Sequence, residues 1–110
     1  MGKSMKTWRV EVIPSVERRM IAILTDIGDD PLHNPDAAKA VYADFEATLQ
    51  KVSLLGDRIP IGEHPVMHKR ALRRINFQRH RYCLIYRIKD DIVQIVRVAH
   101  FLEDLDNVLK

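Results

Sequence analysis

Apolar and polar residues alternate from Trp8 to Ile13, the period-two pattern of a half-buried strand. Pro14 closes this segment, and Ser15 is the predicted N-cap of a helix beginning at Val16-Glu17. Val16, Met20, Ile23, Leu24 and Ile27 then fall on one helical face, and Gly28 followed by Asp29-Asp30-Pro31 marks the stop. Asn34-Pro35 opens a second helix, with Asn34 as cap and Pro35 in the first helical position. Ala38, Val41, Tyr42, Phe45, Leu49 and Val52 recur at helical spacing until Leu54-Leu55-Gly56. Asp57 to His68 holds Pro60, Gly62 and Pro65 and reads as a loop. Three alternating segments follow: Arg70–Phe77, Arg81–Ile88 and Ile92–His100, the last two joined by a tight turn at Lys89-Asp90-Asp91. The third is the most β-branched, and Leu102–Leu109 suits a short last helix.

The order β-α-α-β-β-β predicts a two-layer α+β domain. A helical hairpin with acidic outer faces covers one face of a mainly antiparallel sheet, and a short C-terminal helix follows. At 110 residues the chain forms a single domain, with residues 1–6 expected to be disordered. Hydrophobic content of 46% with 30% charged residues suits a folded protein. No apolar run approaches the roughly 20 residues that span a bilayer, and Met1–Lys6 lacks the apolar region of a secretory signal. Cys83 is the only cysteine, so an intrachain disulfide and a cysteine zinc cluster are excluded. Together these favour a cytoplasmic protein.

Charge changes the picture. The net charge is only +3, yet no acidic residue occurs from His64 to Ile88. That window carries Lys69, Arg70, Arg73, Arg74, Arg79, Arg81 and Arg87, whereas the preceding stretch is acidic. The sheet face opposite the helices should therefore mix arginines with apolar residues, a layout suited to binding. Lys69, Arg70, Arg73, Arg79, Arg81 and Arg87 are the expected contacts to nucleic acid or to an acidic protein, because guanidinium groups pair with anions through a planar fork of donors. A solvated sheet face also carries charge; the length of the acid-free run tilts the reading toward function.

Other chemistry is sparse. His64, His68 and His80 are too loosely spaced for a metal signature, and no metal or cofactor is expected. His100 ends the last strand, where general acid–base work competes with a structural role. Cys83 sits in an apolar strand and reads as a buried thiol. Tyr82 and Tyr86 would stack on bases if exposed, but core positions are the better reading. Asp44, Glu46, Asp104 and Asp106 lack the paired spacing of acid–base catalysis, and neither a Gly-rich phosphate loop nor a Ser/His/Asp arrangement occurs.

From about Trp8 to Asp104 the chain resembles the RelE/ParE superfamily of bacterial type II toxins. The likeness rests on Asn34-Pro35-Asp36-Ala37-Ala38, on Ile59-Pro60-Ile61-Gly62, on Tyr82-Cys83-Leu84-Ile85-Tyr86-Arg87-Ile88, on Asp90-Asp91 and on Val93-Gln94-Ile95-Val96-Arg97-Val98-Ala99-His100. It implies a toxin neutralised by a cognate antitoxin protein encoded beside it. RelE-like members cut mRNA on the ribosome using a middle-strand arginine, further basic residues and a tyrosine or histidine near the C-terminus. ParE-like members inhibit DNA gyrase and lack that set. Here Cys83 stands where the middle-strand arginine would precede Tyr86 by three, and a thiol cannot stabilise a cleaved phosphate as a guanidinium does. Arg73, Arg74, Arg81, Arg97 and His100 remain the catalytic candidates under a nuclease reading, with Arg81 on the strand face of Cys83. The resemblance thus implies first a ParE-like inhibitor of growth and plasmid-stabilising toxin, second a metal-independent RelE-like endoribonuclease, and third a degenerate toxin that only binds antitoxin.

Overall fold

The structure, a computed structural model, describes residues 7–29, 34–101, 103 and 109. Its elements are β1 (Arg9–Val12), α1 (Pro14–Gly28), α2 (Pro35–Leu55), α3 (Pro65–Lys69), β2 (Arg73–Asn76), β3 (Tyr82–Lys89) and β4 (Ile92–His100), with a single 3-10 turn at Gly56–Arg58 after α2. The four strands form one sheet in the order β1-β4-β3-β2, parallel between β1 and β4 and antiparallel elsewhere. The α+β, helix-hairpin-on-sheet architecture is the one the pattern predicts. The expected disorder of residues 1–6 and most of the expected Leu102–Leu109 helix lie outside the described residues.

Local chemistry explains where the boundaries differ from the pattern. Pro14 does not only end β1 but occupies the first position of α1, where its missing N–H costs nothing, so the helix starts before Ser15 and Ile13 takes the cap position. Asn34 caps α2 as expected, its Oδ1 accepting the Ala37 N–H at 3.2 Å. The segment read as loop up to His68 contains α3, opened by Pro65 and capped by the His64 ring, which accepts the Val66 N–H at 3.3 Å. Ala71 then takes a positive φ of 53°, and the Leu72 N–H returns to the Met67 carbonyl at 2.8 Å. Arg70 to Leu72 is therefore a turn, and β2 begins only at Arg73. Asp90 and Asp91 have φ of 52° and 65°, the paired positive values of a two-residue hairpin turn.

The principal core lies between the helical hairpin and the sheet, filled by Val16, Met20, Val41, Phe45, Leu84 and Ile95 among others. Burial of such side chains is the main driving force for the layering. A bulge interrupts the β3–β4 register: Ile85 faces Arg97 while Tyr86 faces Ile95, leaving Val96 as the extra residue. The parity shift turns Val93, Ile95 and Val98 toward the helices. The opposite sheet face is not bare, because Met67, Leu72, Ile85 and Leu109 form a second small cluster on it. β3 is accordingly buried on both faces from Cys83 to Tyr86. The outer face of α2 also departs from the acidic expectation: Ala40, Ala43 and Ala47 are exposed there, and Asp44 is turned inward.

One node joins the layers. Gly56 ends α2 with φ of 40°, and its missing side chain admits the Trp8 indole, which a Cβ would meet at 2.0 Å. The Tyr86 hydroxyl, fully buried, donates to the Gly56 carbonyl at 2.7 Å, and the Trp8 backbone N–H donates to the Ser53 carbonyl at the same 2.7 Å. Burial pushes the Tyr86 phenol up to about 12. Gly56→Ala meets both a disfavoured φ and a clash with the indole, so it should cost about 2 kcal/mol or more. Thermal unfolding should show Tm falling by roughly 10 °C; an unchanged Tm would mean that this junction does not hold the layers together.

Candidate functional site

Directly opposed residues share a face of an antiparallel sheet, so the register sorts the basic residues. Arg74, Ile85 and Arg97 form one row across β2, β3 and β4 on the face away from the helical hairpin. Asn76, Cys83 and Ala99 form the adjacent row, and Arg87, Gln94 and Glu11 a third. The third is linked by hydrogen bonds, Arg87 Nε donating to Gln94 Oε1 at 2.8 Å and Gln94 Nε2 to Glu11 Oε1 at 3.5 Å. Arg74 is held by Asn76 Oδ1 at 3.0 Å and stacks over the Phe101 ring at 5.3 Å. Arg97 Nε is buried with no hydrogen-bond partner among the described residues. This mixture of guanidinium and apolar groups matches the layout expected for the outer face, partly covered by the second cluster.

The remaining candidates scatter around that face. Arg70 Nη1 donates to the Leu109 carbonyl at 2.8 Å, and Lys69 is exposed at the end of α3. Arg73 faces the helix side, opposite Tyr86, where its Nη1 serves the Asp57 carbonyl at 3.0 Å and the Ile59 carbonyl. Arg79 and Arg81 are exposed in the turn between β2 and β3.

His100 is separated from Arg74 and Arg97. It pairs with Tyr82 across the strands, meeting its ring edge-on at 5.4 Å, and lies on the helix side. There it lines a cleft of about 470 Å³ with Arg19, Asp26 and Asn34. Glu103 accepts the His100 N–H at 3.1 Å and reaches Arg19 at 3.4 Å. The five residues named for a nuclease thus divide between the outer face, the helix side and the β2–β3 turn. Cys83 is buried as expected, and burial pushes its thiol up despite the charge of Arg74 nearby.

Sequence reasoning missed Asp44. This α2 carboxylate is 6% exposed, and it accepts the Gln78 N–H at 3.0 Å, the Arg79 N–H at 2.9 Å and His80 Nδ1 at 2.7 Å. Burial by itself would raise its pKa, but the His80 hydrogen bond, the two backbone donors and the His80 charge together hold it below the ordinary carboxylate value. The signal in the sequence was its place on the helical face of Val41, Phe45 and Val52, a charged residue among core positions.

No family model matches the chain, and no curated protein matches it. Among solved structures it is similar to a chain of the chromosomal ParDE TA system from P. aeruginosa, with a TM-score of 0.69 and 14% identity over 86% of this chain and 97% of that one. At that identity the likeness is one of fold alone.

Asp44→Asn keeps the shape but loses the charge-assisted acceptors, and should cost about 1–3 kcal/mol near neutral pH. Because the folded-state pKa is depressed, the stabilisation is full above the unfolded carboxylate value and fades as pH falls through the folded one. Urea denaturation at several pH values checks this: the gap between wild type and variant should shrink in acid, and a gap independent of pH would contradict the assignment.

Proposed function

We propose that the chain is the toxin component of a type II toxin–antitoxin module, a ParE-like inhibitor of growth that acts on DNA gyrase by binding and is neutralised by a cognate antitoxin. The observation that carries the module is the shared fold with a ParDE chain over 86% of the protein. The ParE-like branch is supported by the separation of His100 from Arg74 and Arg97 on opposite faces of the sheet, and by Cys83 buried in the middle-strand position of the RelE-like arginine. Proton transfer and phosphate-charge stabilisation act together only when their groups converge on one reacting centre. The arginine-bearing outer face supplies the surface for an acidic antitoxin segment, with Arg87 and Lys69 at its rim.

A second reading, the RelE-like ribosome-dependent mRNA endonuclease, is favoured by one feature. Arg97 keeps a buried Nε donor without a partner among the described residues, in the same row as Arg74, so that two guanidinium groups share the outer face.

Induction of the chain alone in a bacterial host separates the readings. Filamentation with a DNA-damage response and intact mRNA is the expected outcome. Primer extension showing cuts inside translated codons would establish the endonuclease instead, and unimpaired growth would leave only a degenerate antitoxin-binding module. For the complex, exposed charge pairs are screened by salt, so affinity for the antitoxin should fall as salt rises; a salt-insensitive complex would transfer the interface to apolar surface on α1 and α2.

A further inference from the structure

The β2–β3 turn is built differently from an ordinary exposed hairpin loop. Gln78, Arg79, His80 and Arg81 occupy it, and the Phe77 N–H closes it on the Tyr82 carbonyl at 2.9 Å. Three of its donors converge on a single buried carboxylate, Asp44, which belongs to α2 and lies 34 to 36 residues earlier in the chain. On its other flank the Arg81 carbonyl accepts the Phe101 N–H at 3.0 Å. The turn is therefore pinned to the helical layer and to the end of β4 at once. No hydrogen bond is formed by the guanidinium groups of Arg79 and Arg81 within the set that pins it, so two exposed cations ride on a fixed backbone. Beside them a cavity of about 260 Å³ is lined by Asp44 and the α2 alanines Ala40, Ala43 and Ala47 together with Gln78, Arg79 and His80.

We infer that this turn is a preformed dock for an acidic segment of the neutralising protein, with Arg79 and Arg81 as its contacts and Asp44 as the positioning residue that aims them; the inference rests on the toxin reading above. The choice of an acidic segment follows from charge complementarity. The turn lies inside the acid-free run from His64 to Ile88, and the Asp44 carboxylate that it packs on is already occupied by three donors. Its negative charge is met by the turn's own donors, while Arg79 and Arg81 are exposed. Holding them in place beforehand removes an ordering cost that a free loop would pay on association. A cation fixed at the rim of a concave site also steers an anionic partner toward it.

The positioning role makes a prediction of opposite sign to a plain electrostatic one. If Asp44 contributed only charge, neutralising it beside a basic site would tighten binding of an acidic partner. If it served only stability, binding by the folded protein would be unchanged. If it aims the turn, Asp44→Asn must weaken binding although it removes a negative charge. The test uses the full chain and the purified product of the adjacent reading frame, titrated by calorimetry in low-salt buffer at neutral pH. Wild-type binding is expected, with Asp44→Asn and Arg79→Ala each weakening it by about tenfold. The double variant should be little worse than either single one, because the second change acts through the first. Additive losses would overturn the coupling. Unchanged or tighter binding by Asp44→Asn would overturn the inference and leave the toxin reading standing. Failure of the wild-type chain to bind would bring down both. Should Asp44→Asn fold poorly, the turn itself provides a second pair: His80→Asn keeps a side-chain N–H where Nδ1 donates and should retain affinity, whereas His80→Ala should lose it. Equal affinity of these two would equally overturn the inference.

Discussion

A carboxylate inside the hydrophobic layer is the constraint around which the rest of this molecule is arranged. Asp44 sits among Val41, Phe45 and Val52 on the inner face of α2, a position at which an unpartnered charge would be very costly. It is tolerable there because two backbone N–H groups and one imidazole from a single turn saturate it. The same bonds fix where β2 gives way to β3, and hence where the most basic part of the chain meets solvent. Helix packing and the geometry of the basic surface are in this sense one problem with one solution.

The sheet extends that logic. Its central strand β3 is covered on both faces, by the helical hairpin on one and by the Met67, Leu72, Ile85 and Leu109 cluster on the other. The arginines divide into those held by neighbours, such as Arg70, Arg74 and Arg87, and those exposed in the β2–β3 turn, Arg79 and Arg81. The first group shapes a fixed face; the second places cationic charge at the surface. The sheet itself stands between His100 and the Arg74–Arg97 row.

Much of the fold was legible in the sequence because its signals are local. Alternation gave the strands, the caps and prolines gave the helices, and paired aspartates at 90 and 91 gave the hairpin. What escaped were features set by partners distant along the chain. The parallel pairing of β1 with β4 leaves no local mark, and the bulge at Val96 shows only as an arginine where alternation expects an apolar residue. Ala71 hides a turn inside an apparently alternating segment because its positive φ is imposed by α3 before it. For the candidate site, the basic run was plain to see, but faces cannot be assigned without the register. Arg73 therefore belongs to the helix side, where it binds loop carbonyls, while Arg74 beside it lies on the outer face. Nothing adjacent to Asp44 in the sequence announces its three donors, which lie 34 to 36 residues further on.

The most direct measurement is hydrogen–deuterium exchange of the full chain, free and saturated with the antitoxin that the proposed function requires. The account requires new protection over Arg74–Arg81 and on the outer-face strands, centred on the arginine row and the β2–β3 turn, with little change along the exposed side of α1. Protection confined to α1 and the outer side of α2, with the basic turn exchanging as in the free chain, would contradict the claim that the basic face is the one this molecule uses.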